Sequence, residues 1–308
     1  MLSILFLSVI SMVNPNTAST KSPEVIPNSG FDIVSDYDDT LKMSNVPDAL
    51  KMDTVFRSLF SHKIFAGSSV LINALVNSSR RAAENESQKQ IRFMVITGSP
   101  PVLKSRIDSA LTKALFPDYY LRLRDWSTET DLRAYKTKIL LATMNRKALL
   151  FGDDTEHDPE AYDDFQKLRP EMVLAVYIHR ITGNDVIKPG QKTFLTPFDI
   201  AYSEFQAKRL NEEQVAAVAA SILEVEKSNY GNILPNYALG GCAKRSERTC
   251  GLTDMTVKGA KLVELLCKQV ADRMEEVCKG IENNAAELKK VERRDIKLQQ
   301  LQFNSRAP

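Results

Sequence analysis

Residues Phe31–Lys42 read FDIVSDYDDTLK. Asp32–Ser35 is a short β-type run, and a polar stretch, Asp36-Tyr37-Asp38-Asp39-Thr40, ends it, the pattern of a buried strand running into a loop. The loop is chemically unusual, because Asp36, Asp38 and Asp39 crowd three carboxylates into four residues directly past a strand end. Like charges that close repel unless a cation or a proton intervenes. The stretch therefore reads either as an acidic, solvated turn or as a metal site, a catalytic pair, or both. Residues elsewhere in the chain decide.

Working outward, Ile91–Ile96 (IRFMVI) reads as a second strand that stops at Thr97-Gly98-Ser99-Pro100-Pro101. A helix over 102–115 follows, then a third strand, Tyr119–Arg124. Tyr135–Met144 reads as helix, Lys147–Phe151 as a fourth strand ending in Gly152-Asp153-Asp154, Pro159–Leu168 as helix and Met172–Ile178 as a fifth strand. Between the first two strands, Asp53–Phe60 and Ser69–Asn77 carry apolar residues at helical spacing, and Asn77–Gln90 reads as a surface connection. Short apolar strands alternating with helices predict an α/β parallel sheet covered on both faces. In such sheets the site lies beyond the carboxyl ends of the strands. Asp36, Thr97 and Asp153 each follow the end of a different predicted strand, which singles out the acidic loop without any motif dictionary.

From Pro197 the pattern changes. Ala201–Lys227 reads as one long helix, Asn229–Gly251 as a Gly-, Pro- and Asn-containing connection, and Asp254–Lys279 as a second long helix; the charged tail 284–308 is a third helix or a frayed end. The expected organisation is a leader over 1–22, an α/β domain over 31–200 and a helical C-terminal region over 201–308.

The 308 residues suffice for one large domain or two modest ones, and a net charge of +2 does not single out nucleic acid as a partner. Leu2–Val13 is apolar but too short to span a bilayer. Followed by the small polar segment Asn14–Ser22, it resembles a secretory signal peptide with cleavage near Ser19, although no Lys or Arg precedes it. The expectation is an exported protein, periplasmic or secreted, or a cytoplasmic one if the leader is not functional. Cys242, Cys250, Cys267 and Cys278 cluster near the C-terminus with no C-x-x-C spacing, which suggests disulfides rather than zinc. On one helix, Cys267 and Cys278 sit about 16 Å apart, beyond the ~7 Å that a disulfide spans. Cys242 and Cys250 flank a basic loop that they are able to close.

Strand ends gather Asp36, Asp38, Thr97, a lysine near 136, Asp153 and Asp158, an inventory that phosphoryl transfer from a monoester uses. A carboxylate attacks phosphorus, a second carboxyl manages the proton, a hydroxyl and an ammonium hold phosphoryl oxygens, and Mg²⁺ reconciles several acids with an anionic substrate. A calcium EF-hand loop would need Gly at its sixth position and Glu at its twelfth; counted from Asp36 these are Leu41 and Pro47, and from Asp153 they are Asp158 and Asp164.

DYDDT, TGS and GDDTEHD together resemble the haloacid dehalogenase (HAD) superfamily of phosphatases. DYDDTLKMSNVPDAL, ITGSPPVL, LRLRDW, LLFGDDTEHDPEAY and VLAVYIHRIT, in that order over about residues 31–182, resemble the App1-type phosphatidate phosphatase catalytic domain, DUF2183. The resemblance implies a HAD-like Rossmannoid parallel sheet, Mg²⁺ as cofactor and a lipid phosphate such as phosphatidate as substrate, with peripheral membrane contact. It also implies roles. Asp36 is the nucleophile and Asp38 the general acid/base; Thr97, Gly98 and Lys136 bind the phosphoryl group, with Lys138 the alternative lysine. Asp36, Asp153, Asp158 and the Asp38 main-chain carbonyl hold the metal. About fifty residues separate the first two motifs, which leaves no room for a large cap and admits a bulky or surface-bound substrate, a lipid phosphate or equally a phosphoprotein or polynucleotide end.

The chain departs from the family pattern at Tyr37 (Ile), at Thr97-Gly98-Ser99-Pro100 (Ser-Asn-Ser-Pro) and at Gly152-Asp153-Asp154-Thr155-Glu156 (Gly-Asp-Ser-Gly-Gln), and Asp154 is expected to add a charge near the metal. His157 reads as a surface or substrate-facing residue. His179 and Arg180 read as supporting or surface residues, with substrate contact as the alternative, and Trp126 and Tyr120 as packing or entry residues. The basic residues Lys244, Arg245, Arg248, Lys289, Lys290, Arg293 and Arg294 read as solvated surface, with anionic lipid as the alternative partner. A competing reading makes the chain a non-catalytic binding protein, with the α/β core as scaffold and the helical region as interaction surface.

Overall fold

The computed structural model describes residues 30–44, 63–83, 90–247 and 261–304. The leader and the helix expected over Asp53–Phe60 lie outside them. β1 (Asp32–Ser35), β2 (Phe93–Thr97), β3 (Tyr119–Leu123), β4 (Ala148–Asp153), β5 (Val173–His179) and β6 (Lys192–Phe194) form one six-stranded sheet in the order β3-β2-β1-β4-β5-β6. Every neighbouring pair is parallel. The chain moves outward from β1 to β3, crosses back to place β4 against β1, and continues to β6. The order reverses between β1 and β4, which is where open α/β sheets bind ligands.

Alternation along the strands sorts side chains onto two cores. Ile33, Phe93, Val95, Leu149, Phe151 and Tyr177 face one layer, built from α1 (Ser68–Ala82), α2 (Lys104–Lys113), α5 (Pro197–Gln206), α6 (Glu212–Leu223), α7 (Leu239–Ala243) and α8 (Lys261–Asn304). Val34, Met94, Ile96, Leu150, Val176 and Ile178 face the other, covered by α3 (Leu132–Thr143) and α4 (Asp158–Leu168). Both faces are thus covered, as the near-continuous apolar strands require.

Five points differ from expectation. The connection read from Asn77 begins only after Ala82, because α1 continues that far. β6 was not legible. The helix expected over Ala201–Lys227 is two: α5 begins earlier, on a Thr196/Asp199 capping box, and α6 restarts on an Asn211/Gln214 capping box. The connection 229–251 contains α7 and short 3₁₀ turns. The tail does not break away, since α8 runs on to Asn304.

The expected loop-closing pair is also corrected: Cys242 bonds Cys278, with Cα atoms 5.4 Å apart. The bond ties α7 to α8 across 36 residues. Cys267 is disulfide-bonded as well, and Cys250 lies outside the described residues.

Candidate functional site

Three acids converge at the β1/β4 switch point. Asp36 follows β1, and its N–H donates to the Phe151 carbonyl on β4 at 2.8 Å. Asp153 ends β4, and Asp158 opens α4. A carboxylate oxygen from each lies within 4.8 Å of the other two, and all three residues are buried. Asp158 reaches the strand because Gly152 has no side chain there: a Cβ on Gly152 would fall 2.5 Å from the Asp158 Cβ. The Asp153 N–H donates to Asp158 Oδ2 at 3.2 Å. Asp153 Oδ1 accepts from the Thr155 N–H at 2.8 Å, and its Oδ2 accepts from Thr40 Oγ1 at 3.0 Å.

Lys136 enters this cluster from α3. Its Nζ donates to Asp36 Oδ1 at 2.8 Å and to Asp158 Oδ1 at 2.5 Å, and lies 3.9 Å from Glu156 Oε2. Lys138, two residues on, points to solvent and pairs with Glu129 at 2.7 Å. Of the two lysines, the fold brings only Lys136 to the acids. Asp36 Oδ2 is buried with no hydrogen-bond partner. A carboxylate oxygen placed so is costly unless something not drawn from these residues meets it.

The electrostatics agree. Burial pushes Asp36 well above the ordinary carboxylate range; Lys136 opposes this, while Asp158, Asp153 and Glu156 add to it. Burial and then Asp158 push Asp153 up in the same direction. Burial works against the Lys136 ammonium, but Asp158, Asp36 and Glu156 outweigh it and hold its pKa well above the usual value. Burial also raises Glu156. Three acids around one ammonium are over-supplied with negative charge, and a hard cation relieves that excess.

Asp38 stands apart from the triad. Its Oδ1 accepts from Ser44 Oγ at 2.5 Å and Lys42 Nζ at 3.3 Å. Its Oδ2 accepts from Ser99 Oγ at 2.9 Å and Thr97 Oγ1 at 3.3 Å. The carboxylate thus spans the two loops that follow β1 and β2, and it remains partly exposed. The Gly98 carbonyl accepts from Trp126 Nε1 at 2.8 Å, which fixes the half-exposed indole beside this loop.

Asp39 takes a left-handed backbone conformation, φ 55°. Its Oδ1 accepts from the Ser44 N–H at 2.9 Å and from the Tyr237 hydroxyl at 2.6 Å. The Ser44 bond supports the turn locally, and Tyr237 adds one from the C-terminal region.

Other residues fall differently from expectation. Asp154 does not add charge at the acid cluster. Its Oδ1 accepts from the Ile181 and Thr182 N–H groups, both at 2.8 Å, and its Oδ2 from Gly183 N–H at 2.9 Å, so it holds the loop after β5. Arg180 is buried and donates to the Asn184 carbonyl at 2.6 Å and the Gly183 carbonyl at 3.1 Å in the same loop. His179 is buried behind the site, with Nδ1 2.8 Å from the Asp39 carbonyl and Nε2 3.1 Å from that of Leu195. His157 is exposed at the start of α4. Tyr120 lies on β3, away from these loops.

Sequence reading missed Lys42, Ser44, Ser99, Glu156 and Tyr237. The first four sit inside the motif segments, so proximity in sequence was their signal. Tyr237 is 198 residues from Asp39 and carried none.

The family described as phosphatidate phosphatase APP1, catalytic domain, matches residues 31–180. That interval holds every member of the acid cluster, Lys136 and Thr97. No curated protein and no solved structure matches the chain.

Proposed function

We propose, from the premise that residues 31–180 belong to the phosphatidate phosphatase APP1 catalytic-domain family, that the chain is a Mg²⁺-dependent phosphatase. Its substrate on this reading is a phosphomonoester, a lipid phosphate such as phosphatidate, and its intermediate an aspartyl-phosphate on Asp36. The observation that carries the reading is the buried Asp36–Asp153–Asp158 triad around Lys136, with Asp36 Oδ2 left without a partner.

Asp36, Asp153 and Asp158 offer only oxygen, which suits Mg²⁺. When bound there, the ion would neutralise charge on the carboxylates and on the phosphoryl oxygens. The residues do the rest. A carboxylate oxygen of Asp36 bonds to phosphorus as the bond between phosphorus and the alcohol oxygen breaks, its electron pair leaving with that oxygen as alkoxide. Lys136, Thr97 and the Gly98 loop hold the phosphoryl oxygens. Asp38, partly exposed and held by Ser44, Ser99 and Thr97, gives its proton to the departing alkoxide. It then takes a proton from the water that attacks the aspartyl-phosphate, which releases inorganic phosphate and restores Asp36.

The reading extends to export. The Cys242–Cys278 disulfide supports an oxidising compartment, and among the described residues no helix is long and apolar enough to cross a membrane. The deciding experiment is a panel of phosphatidate vesicles and soluble monoesters, assayed with and without Mg²⁺. Wild type should turn over the lipid phosphate only with the ion, and Asp36→Asn should be inactive on every member. Turnover by Asp36→Asn in metal-replete buffer would remove the nucleophile assignment. A preference for soluble monoesters would remove the lipid substrate alone.

A further inference from the structure

A cleft of about 660 Å³ opens at the end of the sheet opposite the acid cluster. Its lining comes from the amino ends of β1 and β2, from β3, and from the chain just past α3. Asp32 lies in it, and β1 runs from there to the acid cluster, so the two places are about 13 Å apart along the strand at ~3.3 Å per residue. No residue of the acid cluster lines it.

Among the described residues the lining is rich in arginine. It holds three guanidinium groups, Arg92, Arg122 and Arg146, and one carboxylate, Asp32. Arg146 Nε and Arg92 Nη1 lie 3.2 Å and 3.7 Å from the same Asp32 oxygen. Asp32 thus meets both the buried Arg92 and the partly buried Arg146. Arg122 is exposed on the edge strand β3, and Tyr120, 51% exposed, stands two residues before it on the same face. Met94 and Met144 supply an apolar floor. Gln90, also in the lining, buries an amide oxygen that has no hydrogen-bond donor.

We infer that this cleft binds a small organic anion: a phosphate or carboxylate group, on a planar body that bears hydroxyl or amine donors. Each part of that description answers a feature of the wall. Guanidinium groups bind phosphate and carboxylate through paired N–H donors. A half-exposed tyrosine beside an arginine offers a face for a planar group. The buried Gln90 oxygen is placed to accept from a hydroxyl or amine donor. The volume falls in the range of small-molecule sites, about 300–1,000 Å³. The cleft is separate from the proposed catalysis and does not depend on it.

Adenosine 5′-phosphate is a suitable probe, since it joins an anion, a planar base and hydroxyl donors; inorganic phosphate is the anion alone. With the full, disulfide-intact chain in EDTA, so that no turnover occurs, hydrogen–deuterium exchange locates the probe. Adenosine 5′-phosphate should protect peptides covering 90–94, 119–123 and 143–147, and inorganic phosphate should do so more weakly. Arg122→Glu should weaken binding about 10- to 100-fold, the loss of one charge-assisted contact. Tyr120→Ala should remove the advantage of adenosine 5′-phosphate over phosphate. Both positions are exposed, and equal melting temperatures check that the variants fold. Protection confined to 36–44 and 153–158 would overturn the inference. So would binding unchanged in both variants, or no binding at millimolar probe.

Discussion

Gly152 is the position at which a single missing carbon lets the acid cluster form. Its replacement by alanine sets a methyl group 2.5 Å from the Asp158 Cβ and 2.7 Å from its Cγ, so β4 or the start of α4 must shift. Gly152→Ala is expected to cost about 1–3 kcal/mol, the usual penalty of overpacking, and to weaken divalent-cation binding because Asp158 is displaced. Urea unfolding with and without Mg²⁺ measures both; a variant as stable as wild type would mean that α4 slides freely. His179 makes a different kind of prediction. Burial holds its pKa below the ordinary imidazole value, against the Asp39 and Leu195 carbonyls that favour the cation. The unfolded chain therefore takes up the proton first as pH falls. Stability is present above about pH 6.5, the unfolded value, and is lost as pH drops from there toward the lower folded value, by at most about 1.4 kcal/mol per pH unit. The difference between wild type and His179→Asn, followed by urea unfolding from pH 7 to pH 5, should shrink along that slope. A constant difference would show that His179 does not titrate in this window.

Elements whose identity comes from local pattern were legible, and those that owe it to distant partners were not. β1, β2, β4 and β5 are apolar runs bounded by turn residues, and their ends delivered Asp36, Thr97 and Asp153. β6 is only Lys-Thr-Phe, with no periodicity to read; it is a strand because Tyr177, Ile178 and His179 pair with it. Residues 78 and 79 look like loop, yet they are helical: Ser79 Oγ accepts from the Phe31 N–H at 2.8 Å and Ser78 Oγ donates to the Arg209 carbonyl. The division between α5 and α6 was readable in Asn211-x-x-Gln214, a start signal inside an otherwise continuous helical pattern. Asp154 belongs with the illegible features, because adjacency to Asp153 in sequence suggested the metal while the strand's alternation turns its carboxylate to the loop after β5. Cysteine count and spacing predicted crosslinking but not the partner, which depends on where α7 lies against α8. With a sequence separation of 36 between Cys242 and Cys278, the loop-closure account gives the bond about 3–4 kcal/mol. Replacing both cysteines by alanine should lower the unfolding free energy by up to that amount, read from urea unfolding. A loss under about 1 kcal/mol would mean that α7 and α8 are held by packing alone.

At the scale of the molecule, the C-terminal helices are part of the layer that covers one face of the sheet. α7 carries Gly240 against the loop after β5 so tightly that a Cβ there would fall on the Thr182 carbonyl. Asp154 holds that loop from the other side. Tyr237, just ahead of α7, donates to Asp39 in the acidic turn. α8 closes the layer with a row at helical spacing, Val263, Cys267, Val270, Met274, Val277, Cys278 and Ile281, all buried. Arg245 fastens the same stretch through Glu275 and Glu282, each at 2.8 Å. Past Ile281 most of the described side chains turn outward; Leu288 is 66% exposed, and Lys290 pairs with Glu287 of its own helix. Among the described side chains the buried row of α8 therefore ends at Ile281. A chain cut after Asn284 keeps the buried row, the disulfide and both Arg245 pairs, and should unfold within about 0.5 kcal/mol of the full chain. A cut after Asp272 removes Met274, Val277, Cys278 and Ile281, and cavity terms of about 2–5 kcal/mol for the larger side chains should leave it unable to hold the layer closed. Urea unfolding of the two truncations separates the cases. If the longer truncation loses more than about 2 kcal/mol, α8 contributes stability beyond Asn284, and the outward turn at Ile281 does not mark the end of its packing.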